Sequence, residues 1–161
     1  MSELKLVTSL FNQQVVYTLD FLASLTTEDW KFISSPWDSF LFHGQARNVS
    51  IADIVKHVMT LEHSIIHVIK SLKSGSVVSL EGDKSLCKGL VDCDEIVPFY
   101  SSVHKENLKC ISSFNQQDLD KTFTFINQTY TGSGLLWMTT GHHAMHFGHL
   151  RSIRLPGSNK S

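Results

Sequence analysis

The chain has 161 residues, 42% of them hydrophobic and 18% charged, which supplies one core and is too little charge for a disordered polymer. Lys and Arg total 14 against 15 Asp and Glu, a net charge of −1, so there is no basic field to displace counterions from nucleic acid. No apolar run approaches the ~20 residues of a membrane span, and the amino terminus, broken early by Asn12-Gln13-Gln14, lacks the pattern of a secretory signal.

Ser2 caps a first helix predicted over about residues 3–25. Leu4, Val7, Phe11, Val15, Leu19 and Leu22 recur there at steps of three and four, giving one apolar face. Thr26-Thr27-Glu28-Asp29 suits a short extra turn, and the stretch from Ser34 through Pro36 to Asn48 reads as a connector. Ser50-Ile51-Ala52-Asp53 has the form of a capping box. The second helix that follows carries Ile54, Val58, Leu61, Ile65, Ile69 and Leu72 to a stop at Gly75. Residues 76–92 read as a loop. Asp94 is expected to cap a third helix, with Pro98 close enough to its start to be tolerated. The segment from Asn115 to Gly132 is expected to be extended or loop, because Thr122–Ile126 alternates like a strand but has no obvious partner. Ser133 is expected to cap a fourth helix running to about Arg154 and stopped by Pro156-Gly157. The fold class expected is all-α: a single four-helix bundle over residues 1–161, with no substantial sheet and with connectors long enough for crossover topology. Long loops of this kind are expected to roof a site at one end of the bundle.

Nine histidines are the one compositional excess. Each helical residue advances ~100°, so His142, His146 and His149 share one stripe of the fourth helix, whereas His143 lies about a quarter-turn round. His142 and His146 form an i, i+4 pair, which on a helix can aim two imidazole nitrogens at one ion. A third ligand must come from a neighbour. On the second helix His57 lies near the apolar stripe, while His63 and His67 point ~120° and ~80° away from His57; His104 of the third helix is a weaker candidate. Three neutral imidazoles leave a position open for water or substrate, as in catalytic sites, and nitrogen-only ligands suit zinc or nickel, with iron and copper also compatible.

Other residues have plain readings beside functional ones. Arg151 and Arg154 can meet a substrate carboxylate, but cations in a last turn also offset the helix dipole. Trp30, Trp37 and Trp137 line a pocket or, more ordinarily, serve the core. Asp53 and Glu62 can orient a ligand imidazole, although Asp53 is first of all a helix cap. Cys87, Cys93 and Cys110 are odd in number and without CxxC spacing, as expected of reduced thiols in a cytoplasmic chain, and nothing beside them suggests an activated nucleophile.

With these residues in view, the chain resembles the DinB/YfiT-like family of metal-dependent four-helix bundles. The resemblance rests on a histidine early in the second helix, here Ser50-Ile51-Ala52-Asp53-Ile54-Val55-Lys56-His57. It rests equally on the run His142-His143-Ala144-Met145-His146-Phe147-Gly148-His149-Leu150-Arg151-Ser152-Ile153-Arg154 on the last. It implies that His57, His142 and His146 hold a divalent metal ion, and that the activity is thiol-dependent transfer or isomerisation, or hydrolysis. Its implied partner is a small-molecule substrate such as a low-molecular-weight thiol. The chain departs from the family pattern at His149, where Gln is common; His149 is either a further donor or an outer partner. A non-enzymatic metal-binding or structural bundle is the competing class. A homodimer is expected, since related bundles pair and the net charge opposes association only weakly.

Overall fold

The computed structural model describes residues 2–34, 41–42, 45–46, 48–75, 85–125 and 127–153. Four long helices carry the molecule: α1 (Glu3–Ala23), α3 (Ile51–Ser74), α4 (Cys93–Ser112) and α6 (Gly132–Ser152). Two short helices, α2 (Thr27–Lys31) and α5 (Gln116–Asp120), lie in the connections. The strands are brief antiparallel pairs. β1 (Ile33–Ser34) pairs with β4 (Val49–Ser50), β2 (Leu41–Phe42) with β3 (Gln45–Ala46), and β5 (Thr122–Phe125) with β6 (Gln128–Thr131). The all-α bundle is as the periodicity predicts.

The helix starts show why these segments fold where they do. Ser2 Oγ accepts from the Lys5 amide at the head of α1. At α3 the capping box is complete: Ser50 Oγ accepts from the Asp53 amide at 3.1 Å, and Asp53 Oδ2 accepts from the Ser50 amide at 2.9 Å. Thr26 and Asp29 make the same box on α2. Gly75 ends α3 in the left-handed region at φ 72°, which costs a residue without Cβ almost nothing.

Three expectations differ from the structure. Helix α4 begins at Cys93 with Asp92 as N-cap, and Asp92 makes no side-chain capping bond; instead Glu95 Oε2 accepts from the Val91 amide at 3.3 Å. Asp94 is therefore inside the first turn, and Pro98 lies beyond the four free amides of the helix start, giving up one internal hydrogen bond. Helix α6 is capped by Thr131, whose Oγ1 accepts from the Gly134 amide, and not by Ser133. A Cβ at Gly132 would lie 2.9 Å from Leu119 Cα, so close approach of α5 and α6 places the glycine there. Finally, Thr122–Phe125 does have a partner, Gln128–Thr131, across a turn in which Asn127 takes φ 62°, a conformation asparagine tolerates better than most residues. Arg154 and Pro156-Gly157 lie outside the described residues, as do Trp37 and residues 76–84 of the loop; the expected roof over the site therefore falls largely outside them.

Helix directions follow from the side chains that meet. Trp137 Nε1 donates to Glu3, Thr18 meets His143, and Phe21 meets Phe147, so α1 and α6 run parallel. His104 meets Asn12 and Tyr100 meets Glu62, which sets α4 against α1 and alongside α3. Consecutive α3 and α4 thus point the same way, and their connection must return along the bundle. By residues 87–90 it has done so: Cys87 Sγ lies 3.4 Å from Thr60 Oγ1, and Lys56 Nζ donates to the Leu90 carbonyl. This is the crossover that the long connector permits.

The core is drawn from all four helices, with Val15 of α1, Ile65 and Ile69 of α3, Ile96 of α4 and Leu135 of α6 wholly inaccessible to solvent. Burial of such side chains is the main stabilising term, each contributing roughly 1.5–3 kcal/mol. No helix among the described residues is long and apolar enough to cross a membrane.

Candidate metal centre

Helix α3 begins at its capping box and brings His57 round in its second turn, facing α6. From α6, His142 and His146 come forward one turn apart. His57 Nε2 lies 3.2 Å from His142 Nε2, and His146 Nε2 lies 3.0 Å from the same atom. All three ligand atoms lie within 4.8 Å of one another. Among the described residues this is the group of three or more His, Cys, Asp or Glu side chains that converges in this way.

The donor set fits a divalent ion. A ring nitrogen carries either one hydrogen or one lone pair, so three that face each other cannot all be satisfied by mutual hydrogen bonds, whereas a cation accepts all three lone pairs. Two nitrogens each 2.0–2.1 Å from a tetrahedral ion stand about 3.3 Å apart, close to the spacings found. Protonation would oppose this use, and the environment suppresses it: burial, reinforced by the neighbouring imidazoles, pushes His142 down to about 4 and His146 down to about 3. Both are neutral at pH 7, with lone pairs available.

His149 does not join the converging nitrogens. It approaches the far side of His146, with Nδ1 to Nδ1 at 3.3 Å. If Nε2 of His146 carries the lone pair inward, its Nδ1–H donates to His149, which fixes tautomer and ring orientation. The equivalent nitrogen of His142, Nδ1, is buried and has no partner among the described residues.

Glu62 and His143 form a second feature that the spacing of the histidines does not reveal. Glu62 is wholly buried and His143 is 1% exposed. Glu62 Oε1 meets His143 Nδ1, Tyr100 Oη donates to the Glu62 carboxylate at 3.0 Å, and Thr18 Oγ1 lies 2.8 Å from His143 Nε2. One side chain from each long helix thus enters a single buried network. Burial, then the charge of Glu62, raises the Tyr100 hydroxyl well above its ordinary value, so it stays a donor. The expected role of Glu62 as a partner of a ligand imidazole is therefore corrected: it holds His143, the residue next to a candidate ligand. Asp53 serves as the helix cap.

The remaining candidates separate cleanly. His63 and His67 face a groove against α4, away from the centre. Arg151 stacks over the Phe21 ring at 5.9 Å in the last turn of α6, which accounts for it without a substrate. Trp30 is core, and Trp137 is partly exposed at 38%. Desolvation, with Asp94 close by, raises the Cys93 thiol, and burial raises that of Cys110; neither has the depressed value of a nucleophile.

His104 is no ligand. It is buried, with Nε2 3.0 Å from Asn12 Oδ1 and its ring 5.0 Å from that of Phe11. Burial, with a lesser contribution from His143, pushes its pKa down to about 4. The unfolded chain takes up this proton near pH 6.5 while the native protein does not. The stability owed to a neutral His104 is thus complete above pH 6.5 and is lost as pH falls toward 4, by about 3 kcal/mol. His142 and His146 share that sign in metal-free protein, so the informative comparison is with His104→Gln. Urea unfolding across this window should show a shallower fall for the variant; an identical fall would contradict the assignment.

The DinB superfamily model matches residues 10–150. Among solved structures, the DinB-like protein YjoA of Bacillus subtilis is similar over 90% of this chain and 86% of that one, with a TM-score of 0.64 and 16% identity, a likeness of fold. No curated protein matches the sequence. With a bundle of this architecture and a family match over most of its length, the chain belongs to the DinB superfamily.

Proposed function

We propose that the protein is a metal-dependent enzyme in which His57, His142 and His146 hold one divalent ion, zinc or nickel, and that it transfers a low-molecular-weight thiol to a small electrophile. The observation that carries this reading is the convergence of three Nε2 atoms from two helices. Three ligands fill fewer positions than such ions take, which is the pattern of catalytic rather than structural sites. Because an imidazole ligand is neutral, three of them cancel none of the ion's charge, and an anionic ligand such as a thiolate is favoured in the open position. When bound, the metal supplies Lewis acidity, stabilising a thiolate at neutral pH or polarising an electrophile.

The chain's own residues do the rest. Burial keeps His142 and His146 deprotonated. His149 orients His146 through its outer nitrogen. The network of Glu62, His143, Tyr100 and Thr18 fixes the rotation of α6, so that His142 and His146 face α3 instead of solvent. Rigid helices hold such ligands more closely in place than loops would.

The test compares two panels on metal-loaded protein: small thiols with an electrophile, and simple esters and amides. Saturable thiol conjugation that is lost in His146→Ala supports transfer. Metal-dependent turnover of the ester and amide panel alone replaces it with hydrolysis. If neither panel turns over, and metal removal instead lowers the melting temperature sharply, the ion is structural and the enzymatic reading is wrong.

A further inference from the structure

The groove between α3 and α4, at the end of the bundle away from the three-histidine cluster, has features that the metal centre does not use. Its cavity is about 400 Å³, within the range of small-molecule sites. His63 and His67 lie on one wall, one turn apart, with ring centroids 4.2 Å from each other. Asn107, Lys109 and Cys110 line the other, and the exposed Lys70 and Glu106 also border the groove.

Two polar atoms of residues that line this groove lack partners. Asn107 is 2% exposed, and its Nδ2 is buried without a hydrogen bond. His63 Nδ1 is in the same state. An amide nitrogen is a donor and nothing else, and leaving it buried without a partner is costly, so an acceptor that reached Asn107 would relieve that cost. The charge of the groove points the same way: Lys70 and Lys109 face a single carboxylate, Glu106. A cation is disfavoured by both lysines. No third His, Cys, Asp or Glu ligand atom among the described residues completes a cluster with His63 and His67.

We infer that this groove binds a small molecule through a carboxylate or phosphate group, with Asn107 Nδ2 and the His63 ring meeting its oxygens and Lys70 and Lys109 supplying the opposing charge. His67 is ten positions beyond His57 on α3, about 15 Å along the axis, and the groove opens toward α4 instead of α6. The site is therefore separate from the metal centre and does not depend on its occupancy.

The test uses the full chain loaded with metal, so that the three-histidine cluster is filled. Inorganic phosphate and succinate are titrated separately while the Asn107 side-chain amide and His63 ring resonances are followed by NMR. Either anion, or both, should shift them saturably, and the comparison identifies which oxyanion the groove prefers. Replacing the exposed Lys70 and Lys109 together with Ala leaves the core intact and should weaken binding about tenfold, the effect of two exposed charge pairs of up to ~1 kcal/mol each. Non-saturating shifts confined to lysines, an adventitious ion only, would overturn the inference. So would the absence of any shift at Asn107, or a divalent ion that titrates His63 and His67 instead.

Discussion

Replacing His142 and His146 together with Ala is expected to lower affinity for a divalent ion by about four orders of magnitude, while His63→Ala and His67→Ala leave it unchanged. The size follows from the ligand count. Zinc held by four protein ligands is bound by roughly 10–16 kcal/mol, or about 3 kcal/mol per ligand, and the double variant removes two of three. His63 and His67 share α3 with His57 but face α4, so they serve as controls on the same helix. Competition against a chromophoric chelator measures the difference. Comparable affinity in the double variant and the wild type would remove these residues from the site.

The second large effect is expected in the buried network. Glu62→Leu should destabilise the protein by about 3–5 kcal/mol, since removing one partner strands the other in a low-dielectric interior. In a chain of this size that lowers the melting temperature by about 10–15 °C. Glu62 meets His143 and Tyr100, so two buried groups each lose a partner at once. A double-mutant cycle with His143→Leu separates the pair from its surroundings: the double variant should be less destabilised than the sum of the single variants by at least ~1 kcal/mol. Strict additivity would show that the two side chains do not act together. The same substitution should weaken metal binding without touching a ligand, because it frees the rotation of α6.

Much of this architecture is legible in the sequence. The stripe from Val7 to Leu22, the Ser50–Asp53 box and the spacing of His142 and His146 each encode one local rule, and each rule holds because nothing in the tertiary structure opposes it. The third ligand candidate is legible as well, since the phase of α3 turns His57 toward the side where α6 packs. Where the reading fails, the deciding interaction is distant in sequence or depends on the backbone. Thr122–Phe125 looks like a strand without a partner until Asn127 takes its left-handed turn and Gln128–Thr131 folds back upon it. The start of α6 is set by the Thr131 cap together with the close approach of Gly132 to Leu119, and no local pattern contains the second.

The Glu62–His143 pair is an intermediate case. Glu62 falls among Val58, Ile65 and Ile69 on the inner face of α3, and His143 shares the inward phase of Leu136, Thr139 and Leu150 on α6. Two polar residues on core-facing stripes are a signal that they meet. On α6 the density of histidines makes the i, i+4 pair His142 and His146 the more conspicuous signal.

The three-histidine centre is tested most directly by the metal content of protein purified without a histidine tag, with X-ray absorption at the edge of the metal found. About one zinc or nickel ion per chain is expected, in a shell of nitrogen and light-atom ligands, with imidazole scattering that is lost when His142 and His146 are replaced. Protein that is metal-free and does not take up either ion, or a shell containing cysteine sulfur, would contradict it.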